Sequence, residues 1–305
     1  IICGFSDGGI VALLFAMEHP DVPSRLFVCG ANTRPSMIKG MTLTRLLHGD
    51  EPLVHMMLTE PDIRPEDLYR AWYDRRELPK TAAINPEEYA AYFRPFVEQG
   101  YEVLHISLGS GLSSSFQNAS IAASSLEGVH VVDSRNLSTG FGHVVCEAGE
   151  RIRAGMPVEQ IVSELETLIP CVHASFVLDT LEFLHASGRC SSLAHISANL
   201  LNLKPGIEVQ VAEGGRMSVG KKYVGKLPRV LKKYVVDQIA DRDDLLLDRV
   251  FVTHSGMDLA FVEEIRDLVL SLQPFREAFI TQASCTISAH CGPNTLGVLF
   301  ITKPK

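Results

Sequence analysis

The chain has 305 residues, 46% of them hydrophobic and 21% charged, with a net charge of −8. Such a length allows two domains with a sizeable core, and the acidic balance excludes a general nucleic-acid binder, whose phosphate contacts demand basic surface. No apolar run approaches the roughly 18 residues of a membrane span and no secretory leader is read, while seven dispersed cysteines without a C-x-x-C pair suit a reducing cytoplasm and offer no metal-ligand spacing.

Ile1-Ile2-Cys3 reads as the end of a strand, Gly9–Glu18 as a helix and Arg25–Cys29 as a buried strand. Between the first two, Gly4-Phe5-Ser6-Asp7-Gly8 matches G-x-S-x-G, which sets a serine on a sharp strand-to-helix turn. The stretch GFSDGGIVALLFAMEHPDVPSRLFVCGAN, with Leu58–Ile63 further on, resembles α/β-hydrolases of the serine esterase type. The resemblance implies Ser6 as nucleophile and the Asp7 N–H as half of an oxyanion hole. A nucleophilic serine needs a positioned base. The hydrolase-like context stops near residue 68, so a remnant is preferred over a working esterase.

A short helical pattern follows at Met41–Leu47, and Arg64-Pro65-Glu66-Asp67-Leu68 opens a helix through Trp72 that Pro79-Lys80-Thr81 breaks. Asn85-Pro86-Glu87-Glu88 is a helix start, with a cap, a proline in the first position and acids in the first turn. That helix is expected to run toward Gln99, close at Gly100 and kink at Pro95. Val103–Leu108 is a buried strand, and Gly109-Ser110-Gly111-Leu112-Ser113-Ser114-Ser115 leads from it into a helix near Phe116. Backbone N–H groups and hydroxyls gathered at a helix N-terminus favour an anionic head group. The same composition also describes an ordinary strand–helix turn with serine caps. Val129–Val132 is a strand, and Thr139–Ala154 and Pro157–Ile169 are helices, the latter with Val158, Ile161, Leu165 and Leu168 at helical spacing. The alternation predicts a parallel, helix-covered sheet.

Beyond residue 170 the pattern changes. Asp179–Ala186 and Ser191–Leu201 read as helices around Ser187-Gly188-Arg189, and Ile207–Ala212 with Met217–Lys221 as a hairpin around Gly214-Gly215. Gly225–Ala240 and Asp258–Leu272 are amphipathic helices, and Arg249–Thr253 and Leu296–Thr302 are strands. The expected architecture is therefore α/β in two domains, a parallel helix-covered sheet and a mixed-sheet α/β domain, divided as 1–68 (hydrolase-like, completing the first sheet), 69–170 and 171–305.

Several motifs in residues 69–305 resemble the DegV family of fatty-acid-binding proteins, in family order. They are Leu78-Pro79-Lys80-Thr81, the turn Gly109–Ala119, Asp133-Ser134 with Ser138-x-Gly140, Asp179–Leu184 leading to Gly188-Arg189, Leu201-Asn202-Leu203-Lys204-Pro205, and His290-Cys291-Gly292-Pro293-Asn294-Thr295-Leu296-Gly297. The resemblance implies a long-chain, palmitate-like fatty acid held between two α/β domains, without a cofactor. Its carboxylate contacts map onto Thr81, Ser113 and His290, with Ser110 and Arg189 beside them. A carboxylate only accepts hydrogen bonds, so hydroxyl, N–H and imidazole donors suit it. Each residue also has a plainer role, as loop hydroxyl, helix cap, core histidine or helix C-terminal charge.

The resulting expectation is a non-enzymatic carrier that presents the carboxylate to a partner fatty acid kinase, with esterase chemistry at Ser6 as the alternative. Lys221, Lys222, Lys226, Arg229, Lys232 and Lys233 form a basic run, read either as a docking face or as a solvated helix face.

Overall fold

Strand β5 (Val103–Ser107) is buried at every position, as a strand covered on both faces must be. It belongs to a six-stranded sheet of order β3-β4-β2-β1-β5-β6. Its other strands are β1 (Ile2–Phe5), β2 (Leu26–Cys29), β3 (Met41–Thr42), β4 (His55–Met57) and β6 (Val129–Asp133). All pairings in it are parallel except that of edge strand β3 with β4. The computed structural model describes residues 65–188 and 203–304 in full, and strands β1 to β4 by their backbone. The helices expected at Gly9–Glu18 and Ser191–Leu201 lie outside the described residues.

The chain divides into two compact units. The first comprises Ile1–Pro61, Thr81–Pro170 and Val211–Arg216, and the second Asp62–Lys80, Cys171–Gln210 and Met217–Lys305. The second unit holds a six-stranded sheet of order β11-β10-β12-β7-β8-β9. These are β7 (Val172–Val177), β8 (Leu203–Gln210), β9 (Arg216–Val224), β10 (Arg249–Ser255), β11 (Glu277–Gln282) and β12 (Thr295–Ile301). β10 runs parallel to β11 and antiparallel to β12, so the sheet is mixed. The α/β class with one parallel and one mixed sheet is as the sequence led us to expect.

Helices cover the sheets where their apolar faces dictate. In the first unit, α2 (Pro86–Val97) starts on a capping box. The Glu88 N–H donates to Asn85 Oδ1 at 2.8 Å and the Asn85 N–H to Glu88 Oε2 at 3.3 Å. The helix runs on through Pro95 to Val97. Its buried Tyr89 and Phe93 lie 5.3 and 5.4 Å, centroid to centroid, from the His105 ring of β5. α3 (Ser115–Ala123), α4 (Ser138–Arg153) and α5 (Val158–Leu168) complete the set, and α5 buries Val158, Ile161, Leu165 and Leu168 as its periodicity required. In the second unit, α7 (Leu227–Ile239) buries Val230, Leu231, Tyr234, Val235 and Ile239 in one core with Val250, Val252, Val298 and Phe300. Tyr234 keeps its hydroxyl satisfied there. It donates to the Ser175 carbonyl at 2.7 Å and accepts from the Val298 N–H at 3.0 Å. α8 (Leu259–Leu272) starts on Asp258, whose carboxylate accepts from the Phe261 N–H.

Some local expectations are corrected. Met41-Thr42, read as the start of a helical segment, pairs antiparallel with β4, because a sheet edge offers hydrogen bonds that outweigh weak helical spacing. The helix read from Asp179 begins only at Glu182 and is the five-residue α6 (Glu182–Ala186). Asp179 is held instead by an ion pair with Lys204 of β8. Helix α1 (Pro65–Arg75) extends one turn beyond Trp72. Strands β7 and β11 and helix α9 (Cys285–Cys291) have no counterpart in the sequence reading.

Removing the cap in Asn85→Ala is expected to cost about 1 kcal/mol, read as a lower denaturant midpoint with unchanged slope. Burial pushes the His105 imidazole from 6.5 down to about 3. The unfolded chain therefore binds this proton first. The stability His105 contributes is complete above pH 6.5 and is lost as pH falls toward about 3. His105→Gln should show a shallower fall of the thermal midpoint between about pH 6 and 4 than the natural chain.

Candidate functional site

In the first unit, β5 ends at Ser107 and α3 begins at Ser115. The turn between them is closed by its own backbone and by segments from far along the chain. The Gly109 N–H donates to the Asn136 carbonyl at 2.9 Å, and the Gly111 N–H to the Gly214 carbonyl at 2.8 Å. The Leu112 and Ser113 N–H groups donate to the Gly109 carbonyl at 2.9 and 3.3 Å. Asp133 Oδ1, at the end of β6, accepts from the N–H groups of Ser110 and Arg135 at 3.1 and 2.9 Å. The expectation that free amides of this turn cradle an anion is thus corrected for Gly109 through Ser113, which are all committed to the protein. What the turn presents are hydroxyls.

The glycines are required by close approach. A Cβ on Gly109 would stand 2.6 Å from the Gly214 carbonyl oxygen, and one on Gly111 2.6 Å from that of Glu213. The segment Val211–Arg216 is therefore seated directly on the turn. Its own Gly214 and Gly215 adopt φ of 69° and 90°, which an L side chain resists.

Ser113 is half-buried, and its Oγ lies 2.8 Å from Ser115 Oγ and accepts from the Ser115 N–H at 3.2 Å. The hydroxyl thus accepts one backbone donor and shares a hydrogen bond with its neighbour. Ser110 is exposed. Thr81 is half-buried at the start of a loop whose Ile84 carbonyl accepts from Asn118 Nδ2 of α3 at 2.6 Å, so this loop is tied to the helix that the serine turn opens. The first unit thus holds Thr81, Ser110 and Ser113.

The second unit holds His290, half-buried in the last turn of α9. The same unit holds groups that the sequence reading did not single out. Ser288 and Ser255 hydroxyls meet at 3.0 Å, and Ser255 also hydrogen-bonds the Tyr69 hydroxyl of α1. Desolvation raises the Tyr69 phenol and lowers the adjacent His254 imidazole, so both are neutral near pH 7. No local motif marks these residues, which lie 186 positions apart in the Tyr69–Ser255 pair. Arg189 and Ser6 lie outside the described residues.

Of the basic run, Lys221 pairs with Asp237 at 2.7 Å and Lys232 with Glu264 at 2.5 Å, so part of it is neutralised locally. One group with metal-ligating chemistry, Glu102, His130 and Glu159, brings its ligand atoms within 4.8 Å of one another, with both glutamates exposed. His130 already sits 3.7 Å from Glu102 in an ion-pair geometry.

Residues 55–303 match the DegV family, described as uncharacterised. A DegV domain-containing protein of Deinococcus radiodurans is 32% identical over 232 residues, covering 73% of this chain and 78% of that protein. Among solved structures, a DegV family protein from Thermus thermophilus described for its fatty acid binding is 29% identical. It aligns with a TM-score of 0.69 over 80% of this chain and 86% of that one. The Fatty Acid Kinase (Fak) B3 protein of Streptococcus pneumoniae, loaded with linoleic acid, shares the fold at 18% identity. Its TM-score is 0.66 over 79% of this chain and 84% of its own.

The hydrolase resemblance is corrected by these findings. The DegV match begins at residue 55 and so takes in Leu58–Ile63, which had been assigned to the hydrolase-like stretch. Strand β1, which includes Gly4 and Phe5 of the motif, lies parallel between β2 and β5 in the first sheet. A strand followed by a glycine-containing segment is common to many α/β folds, so such a stretch does not by itself specify a hydrolase.

Gly109→Ala is expected to cost about 2 kcal/mol, because backbone rather than a flexible side chain blocks the added methyl. Faster protease cleavage within Val211–Arg216 is the accompanying readout. The matched span and the identity together assign the chain: it belongs to the DegV family.

Proposed function

We propose that this protein is a carrier that binds a long-chain fatty acid and does no chemistry on it. The observation that carries the reading is the 29% identity to a family member described for fatty acid binding, over 80% of this chain. The hydroxyl-bearing turn of the first unit supports it, since hydroxyls can donate to a ligand that only accepts hydrogen bonds. In this reading Thr81, Ser110, Ser113, Arg189 and His290 are the carboxylate donors that the family motifs imply. The tail supplies the affinity. Burying a chain of palmitate length is favourable by about 0.8 kcal/mol per CH₂, so the ligand should survive purification.

The carboxylate is then available to a fatty acid kinase as partner, the enzyme named with the Streptococcus pneumoniae relative. Four described cysteines are buried thiols, which suits a reducing cytoplasm. No described helix is long and apolar enough to cross a membrane.

Denaturing the purified chain and identifying the released lipid by mass spectrometry tests the reading, with a fatty acid expected in near-equal amount. After delipidation, Ser113→Ala and His290→Ala should each weaken palmitate binding about tenfold, as measured by calorimetry. A lipid-free chain that takes up no fatty acid after delipidation and refilling removes the proposal.

A further inference from the structure

Helix α9 has seven residues, and Ser284 at its N-terminus makes no side-chain cap. A helix so short holds no direction by itself. The structure fixes it at two points that bracket His290. Two residues before it, Ser288 Oγ donates to the Ala283 carbonyl at 3.2 Å. Its single proton is then spent, so at the 3.0 Å contact it accepts from Ser255. Ser255, its proton spent in turn, accepts from Tyr69. The result is a directed chain, Tyr69 to Ser255 to Ser288 to the Ala283 carbonyl, with the two serines at most 1% exposed. Two residues after His290, Gly292 has φ of 75° and passes so near Phe183 that a Cβ would lie 2.5 Å from that ring. The same Phe183 meets the Tyr69 ring edge-on at 5.7 Å. Gly256, next to Ser255, lets the Tyr69 ring in. A Cβ there would stand 2.6 Å from Tyr69 Cε2.

We propose that Tyr69, Ser255 and Ser288 are positioning residues that hold His290 in the orientation a fatty acid carboxylate requires. This deepens the carrier reading and rests on it. A buried hydroxyl chain is suited to the task because cutting one link leaves neighbouring polar atoms unsatisfied, so the whole chain keeps one geometry. Preorganising the donor spares the ligand the cost of ordering it.

The test uses the delipidated full chain and [1-13C]palmitate. Tyr69→Phe and Ser288→Ala should each weaken binding about tenfold and shift the carboxyl carbon resonance of the bound ligand. Tyr73→Phe, an exposed ring outside the chain of hydroxyls, should change neither. The double variant Tyr69→Phe/His290→Ala should bind no more weakly than His290→Ala alone, because the two act through one group. Multiplied losses in the double variant would overturn the proposal. So would Tyr69→Phe and Ser288→Ala proteins that fold and keep both affinity and resonance. If Tyr69→Phe fails to fold, Ser288→Ala decides by the same readouts. If His290→Ala binds like the natural chain, the head-group role of His290 falls and the positioning role with it. If His290→Ala is weakened while Tyr69→Phe and Ser288→Ala are not, only the positioning role falls.

Discussion

Backbone amides that leave a buried strand must find acceptors, because an unpaired polar group away from water costs as much as a lost hydrogen bond. The exit of β5 meets this demand with acceptors from three separate segments: Asp133 and Asn136 at and just after the end of β6, Gly214 in the segment 211–216, and Gly109 within the turn itself. The glycines at 109, 111, 214 and 215 follow from that requirement, since two stretches of backbone come into direct contact there. Once the amides are committed, hydroxyls are what the turn has left to offer. That explains why a serine-rich turn, rather than a glycine-rich phosphate cradle, stands at this place in the first unit.

The second unit solves a related problem with side chains. α9 is too short to be rigid by its own hydrogen bonds, and its surroundings supply a polar anchor on one side and an aromatic wall on the other. The same economy appears at Tyr234, where one buried phenol serves Ser175 and Val298 together. In the second unit the apolar faces of α7, α8 and the sheet do the bulk of the burying.

Much of this was legible from residue order. The capping box at Asn85, the apolar spacing of α5 and the buried run of β5 are local signals, and local signals survive in a sequence because the partner lies within a few positions. Thr81, Ser113 and His290 were picked out through family motifs rather than periodicity. The structure describes their surroundings one unit at a time. The errors came in the first 65 residues: a stretch around the GFSDG pentapeptide suggested a hydrolase, and a two-residue edge strand looked helical. α9 was missed because Cys-Thr-Ile-Ser-Ala-His-Cys has neither strong helix formers nor a repeating apolar face.

Residue order alone determined the α/β class, the two sheets and most helix starts, because hydrophobic period and capping chemistry are written within single elements. Only the tertiary structure decided which amides of the Gly109–Ser113 turn are spent, that Val211–Arg216 sits upon it, and that Tyr69 reaches Ser255 and through it Ser288. The contacts of Gly111 with Gly214 and of Tyr69 with Ser255 join residues more than a hundred positions apart. No local pattern encodes such a meeting, which depends on how whole elements stack.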